Sequence, residues 1–127
     1  YIKIQPGNRS FLGGGLFAAM FKDATSMVRN SITEHGAEWL EIISEKSFSE
    51  IFNVKGEHLK GVPRGYDPIH PQAEFLKNKS WYLEYPISDE QLQDDSFISF
   101  ASDIYMRMQP FNKFLNRALI GFEMPKR

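Results

Sequence analysis

The chain contains no cysteine among its 127 residues. Disulfides, thiolate-held metals and thiol nucleophiles are therefore excluded, and the composition fits a reducing, cytoplasmic setting. No apolar run approaches the roughly 20 residues that a membrane-spanning helix needs, and no signal peptide is visible, so no membrane partner is expected. A dominant charge is also missing. The formal net charge of −1 and the sequence pI of about 6.3 supply no field to draw in DNA, RNA or anionic lipid, which argues against a nucleic-acid partner. The three histidines, His35, His58 and His70, sit on distant segments with no H-E-x-x-H or comparable spacing. Neither a metal site nor a cofactor is expected from them.

What remains is the composition of one ordinary globular domain, 42% hydrophobic and 24% charged, with eleven Phe, five Tyr and two Trp. Rings in that number read first as core, because each buries a large apolar area. Charge is unevenly spread. Residues 84–96 carry Glu84, Asp89, Glu90, Asp94 and Asp95 with no base, whereas residues 97–127 carry Arg107, Lys113, Arg117, Lys126 and Arg127 against Asp103 and Glu123. A solvated acidic turn followed by a basic helix accounts for this without a partner. The chain starts at Tyr1 directly in an extended pattern, so residues 1–127 are expected to form a single domain that is the C-terminal part of a longer one.

Along the chain, Tyr1-Ile2-Lys3-Ile4-Gln5 alternates into the turn cluster Pro6-Gly7-Asn8, and an apolar extended pattern resumes from Phe11 to Phe17. This predicts a hairpin whose second strand is interrupted by Gly13, Gly14 and Gly15. The glycines match neither G-x-G-x-x-G nor a P-loop, so a bulge or close backbone packing is favoured over a phosphate cradle. From Asp23 the period becomes helical through Ala24, Met27, Val28 and Ile32, with Asp23 as cap and Gly36 as stop. A short helix through Trp39, Leu40 and Ile43 follows, and Ser47-Phe48-Ser49-Glu50 has capping-box spacing. Trp39 and Phe52 read as core anchors. Further on, Pro71 suits the first turn of a helix over 71–77. An aromatic strand spans 80–85 and ends at Pro86; it is expected to pair with the hairpin. Its Trp81 and Tyr85 share one face, which would offer rings for stacking if exposed. Ser88-Asp89-Glu90-Gln91 is a second capping box. Two helices are then expected, the second with Pro110 in its first turn, Gly121 as its end and a frayed tail over 123–127. The element order predicts an α+β fold with a small antiparallel sheet packed with several α-helices.

The densest chemistry lies in residues 59–81, LKGVPRGYDPIHPQAEFLKNKSW, with three prolines and two glycines. Pro63, Pro68 and Pro71 each remove a backbone donor, so this stretch is an irregular connection that its surroundings must hold. Such loops carry function more often than core helices do. Lys60, Arg64, Lys77 and Lys79 are the candidate ligand-binding residues: arginine clamps an oxyanion bidentately and lysine adds a point charge, which suits phosphate or carboxylate. Tyr66, Asp67 and His70 form the one cluster of acid/base character and are the candidates for catalysis, although a histidine between Ile69 and Pro71 can equally be structural.

Leu59-Lys60, Pro63-Arg64-Gly65-Tyr66, His70-Pro71, Leu76-Lys77, and Lys79-Ser80-Trp81 also carry a resemblance. Together with Tyr1, Ile4, Pro6, the three glycines, Arg29 and Phe114-Leu115, they resemble the family catalogued as domain of unknown function 2461 (DUF2461). The resemblance covers most of the chain. It implies a longer domain, whose upstream part carries an Arg/Asp/Lys-rich motif absent here, and it brings no established activity. The chain departs from the pattern over Leu16-Phe17-Ala18-Ala19-Met20, where a proline is expected.

The expectation is an α+β domain that recognises a small anionic ligand or substrate through the basic loop. The competing one is a non-enzymatic interaction or structural module in which the loop is a brace and the acidic turn or basic helix meets a partner.

Overall fold

The alternating start of the chain and the turn chemistry of Pro6-Gly7-Asn8 produce a hairpin. In the computed structural model, which describes residues 1–16 and 21–122, β1 (Ile2–Lys3) pairs antiparallel with β2 (Ser10–Leu16), which pairs antiparallel with β3 (Trp81–Ile87). The sheet order is β1-β2-β3. The turn is held from outside: the Asp89 carboxylate accepts from the Gly7 and Asn8 amides at 3.1 and 3.2 Å, and the Asp89 amide donates to Asn8 Oδ1 at 2.8 Å. Part of the acidic stretch thus serves the fold.

The helices described are α1 (Lys22–Glu34), α2 (Gly36–Ser44), α3 (Lys46–Ser49), α4 (Ala73–Leu76), α5 (Asp89–Gln93) and α6 (Phe97–Ala118). The class is α+β, as composition and element order predict. Register places Ser10, Leu12, Gly14 and Leu16 opposite Ile87, Tyr85, Leu83 and Trp81, on the face turned toward the helices. There α6 crosses β2, with Met108 and Asn112 over Gly14: an added Cβ would stand 3.0 Å from Met108 Sδ. The glycine run is therefore the close packing that its lack of side chains permits. Gly15 has φ +102°, and a Cβ there would meet the Trp81 carbonyl oxygen at 2.4 Å. Trp39 and Phe52 are core residues, at 0% and 4% exposure. The Trp39 ring lies 5.4, 5.7 and 5.2 Å from Phe75, Phe111 and Phe114. Trp81 is fully buried and Tyr85 packs against Phe52 and Phe100, so the face considered for base stacking is the core itself.

Several local expectations are corrected. Asp23 sits in the first turn of α1 rather than capping it, and Gly36 opens α2 instead of closing α1, because the chain leaves helical geometry at His35 (φ −121°, ψ 40°). Glu45, not Ser47, precedes α3, and Gln72 rather than Pro71 adjoins α4. β3 runs through Pro86. Tyr82 exchanges both backbone bonds with Lys55 on the outer side of β3, so Pro86, four residues on, also turns its missing donor away from β2 and costs the ladder nothing. The two helices expected around Pro110 are one continuous α6. Ile104, Met108, Phe111, Phe114 and Leu115 are buried on both sides of the proline. Their shared stripe outweighs one lost hydrogen bond, that to the Met106 carbonyl. The Ser88 box is present, with the Gln91 amide donating to Ser88 Oγ at 3.1 Å and the Ser88 amide to Gln91 Oε1 at 2.9 Å. Phe17 to Met20, and the tail over 123–127, lie outside the described residues.

Two substitutions test these assignments by equilibrium urea denaturation. Gly15→Ala is expected to cost more than roughly 2 kcal/mol, from left-handed strain plus the backbone clash. Pro110→Ala, at an exposed position of α6, is expected to stabilise by roughly 1–3 kcal/mol by restoring the donor that Met106 lacks.

Candidate functional site

Residues 59–81 leave and re-enter the fold through a short antiparallel ladder. The Leu59 amide donates to the Lys77 carbonyl at 2.8 Å, the Lys79 amide donates to the Glu57 carbonyl at 2.7 Å, and His58 bridges Asn78. Alternation along 77–80 turns Asn78 and Ser80 inward, where both are buried, and leaves Lys77 and Lys79 on the outer face.

The segment is then fastened to one side of α1. Arg29, half-buried, donates from Nε to the Leu76 carbonyl at 2.9 Å and from Nη2 to the Asn78 carbonyl at 3.0 Å. Burial lowers this guanidinium from its ordinary value, which leaves it charged. A fork of fixed N–H groups can hold two carbonyls two residues apart in the chain, where a single ammonium would hold them less rigidly. One residue further along α1, Asn30 Oδ1 accepts the Tyr66 hydroxyl at 2.7 Å. Burial raises the Tyr66 pKa, with the Arg29 charge opposing, so the hydroxyl remains a donor at neutral pH. At the end of α1, His70 Nε2 lies 3.2 Å from the Thr33 carbonyl, and the Gln72 amide donates to His70 Nδ1 at 3.0 Å. With Nδ1 accepting, Nε2 carries the proton and donates to Thr33. Gly36 makes room for this ring, because a Cβ there would stand 3.1 Å from His70 Cε1.

Each sequence-derived candidate can now be placed. Tyr66 and His70 meet α1, and Asp67 Oδ1 accepts from the Ile69 amide at 2.9 Å in a local turn. All three side chains make structural bonds, and none of those side-chain bonds joins one of the three to another, although the His70 amide donates to the Asp67 carbonyl at 3.1 Å. Lys77 donates to Glu74 at 2.9 Å, and that bond holds the Glu74 carboxyl below its ordinary value. Among the described residues, Lys60, Arg64 and Lys79 enter no ion pair or side-chain hydrogen bond; Lys60 and Arg64 are exposed and Lys79 half-buried. Lys77 and Lys79 share a face of the ladder, whereas Lys60 and Arg64 lie in the bend and the Pro63-to-Tyr66 turn beyond it, the latter closed by the Tyr66 amide on the Pro63 carbonyl at 3.2 Å. Among the described residues no group of three His, Asp or Glu is placed to hold a metal ion. His35 is exposed between α1 and α2, and His58 stands on the ladder.

Sequence reading left Asn30 and Thr33 aside, gave Arg29 no role and took Gly36 for a helix stop. Their signal was available in part: Arg29, Asn30 and Thr33 recur at one- and four-residue spacing along a helix whose other face is apolar. A second feature came without warning. A groove of about 850 Å³ runs between α2 and α6 and is lined by Glu41, Glu45 and Ile42 on one side and by Met106, Pro110 and Lys113 on the other.

The fastening predicts an order of costs in urea denaturation. Arg29→Met is expected to lose about 2–3 kcal/mol and His70→Ala about 1–2 kcal/mol, because each strands buried partners. Lys60→Gln and Arg64→Gln are expected to stay within about 0.5 kcal/mol of the parent, as exposed surface changes do. A His70→Ala protein as stable as the parent would remove His70 from the brace.

Among the described residues no helix is long and apolar enough to cross a membrane. No curated protein and no solved structure matches the chain. A family model described as "Conserved hypothetical protein (DUF2461)" matches residues 1–114. On that match, which spans most of the chain and includes the whole braced segment, the protein belongs to the DUF2461 family.

Proposed function

We propose that this domain recognises a small anionic ligand, binding it rather than transforming it, through Lys60, Arg64 and Lys79 on the braced segment. One observation carries the reading: three bases without side-chain partners among the described residues are mounted on backbone that α1 holds from beneath. A preorganised cation loses less entropy on meeting an oxyanion than one on a free loop. Arg64 supplies the planar fork that suits phosphate, sulfate or carboxylate, and the lysines supply point charges. Lys77 joins them by exchanging Glu74 for the ligand. Binding is preferred to catalysis because the Tyr66 hydroxyl and both His70 ring nitrogens are already spent on the fold, and Asp67 Oδ1 holds a local turn. The cysteine-free composition supports a cytoplasmic setting.

Exposed charge-assisted contacts of this kind correspond to dissociation constants of about 1 mM. At about 10 mM inorganic phosphate, mass action then adds about 1.4 kcal/mol and raises the melting midpoint by a few degrees. Phosphate also stabilises proteins generally by exclusion from their surface, so the comparison is with the Lys60→Gln/Arg64→Gln double variant at matched ionic strength. The parent is expected to gain more than the double variant in phosphate and equally little in chloride. Equal gains in both proteins would contradict the proposal.

A further inference from the structure

The groove between α2 and α6 lies apart from the braced segment and has its own chemistry. Its helices run antiparallel, since Glu38 in the first turn of α2 is bonded to Arg117 in the last turn of α6 while Phe48, beyond the other end of α2, stacks 5.7 Å from Phe111. The floor is apolar: Ile42, Phe48, Met106 and Pro110, with Met106 left 66% exposed. On the α2 wall stand Glu41 and, at the C-cap of the helix, Glu45. On the α6 wall stands Lys113. Among the described residues these three exposed groups enter no ion pair, whereas Arg107 is paired with Asp103 at 3.1 Å. Pro110 adds an acceptor to the floor, because the Met106 carbonyl has no amide four residues on.

We infer that this groove docks an amphipathic helix of a partner protein, with apolar residues on the Ile42–Phe48–Met106–Pro110 floor, bases along the α2 wall and acids along the α6 wall. Opposite charges on facing walls are complementary to a helix whose two flanks differ in sign, and not to one that is uniformly basic or acidic. The span from Met106 to Arg117 along α6 is about 16 Å, so the groove accommodates roughly three turns. A flexible methionine in the floor adapts to the side chains it receives. The inference stands independently of the anion site, with which it shares no residue.

The test uses the intact protein and three lactam-stapled helical peptides that share one leucine stripe. The first carries Lys on one flank and Glu on the other, the second Lys on both, the third Glu on both. Affinities are read by fluorescence anisotropy. The mixed peptide is expected to bind about tenfold more tightly than either uniform one, the ratio that two or three exposed charge pairs supply. Lys113→Glu is expected to shift the preference to the all-Lys peptide, and Glu41→Lys/Glu45→Lys to the all-Glu peptide; all three positions are exposed, so the variants keep the fold. Equal affinity for the three peptides, a preference that ignores the charge reversals, or no binding at millimolar peptide would overturn the inference. Sedimentation of the parent as a dimer that Glu41→Lys/Glu45→Lys dissociates would also overturn it, by giving the groove to a second copy.

Discussion

The guanidinium of Arg29, shared between the Leu76 and Asn78 carbonyls, is the contact on which the order of residues 59–81 depends. Those carbonyls belong to a stretch that cannot satisfy them in a longer helix or a continuous sheet, and burial leaves them dependent on a protein donor. By supplying two donors from one rigid group, α1 converts a proline-rich connection into a fixed element. Asn30 and Thr33 extend the same fastening to Tyr66 and His70. The face of α1 opposite this polar edge, with Val28 and Ile32 fully buried, anchors the clasp in the core.

The separation of roles in residues 59–81 follows from that arrangement. Groups that sequence alone makes equally suitable for chemistry divide into those turned toward α1 and those turned outward. Tyr66 and His70 face α1 and are spent on it. Lys60, Arg64 and Lys79 face outward and are not. The histidine illustrates the difference most clearly, because its two ring nitrogens are fixed in one tautomer by a carbonyl and an amide. A residue held that way orients a loop and has no lone pair left for a substrate.

Much of the architecture was legible from residue order. Alternation and turn chemistry located the hairpin, aromatic content located β3, and the Ser88 capping box was present as written. The misreadings at Pro86, Pro110 and Gly36 share one cause, which is tertiary context overriding a local breaker. Pro86 is tolerated because β3 is an outer strand and its nitrogen points away from β2. Pro110 is tolerated because the apolar stripe of α6 continues through it. Gly36 marks no helix stop because its missing side chain is needed beneath His70. For the candidate site, sequence singled out the segment and its cations but not the support beneath them, since no spacing rule joins Arg29 to carbonyls 47 and 49 residues away. The groove was invisible for a similar reason: its two walls are charged faces of helices far apart in the chain, each of which alone reads as a solvated surface.

The central claim is that residues 59–81 form a braced, ordered platform despite their composition. Native-state hydrogen exchange at the Leu59, Gln72 and Lys79 amides tests it most directly, because each donates to a bond of the ladder or the clasp. The account predicts that the three exchange slowly and open together, with a free energy close to that of the neighbouring β3 amides. Exchange at the rates of an unstructured loop, while β3 stays protected, would contradict it.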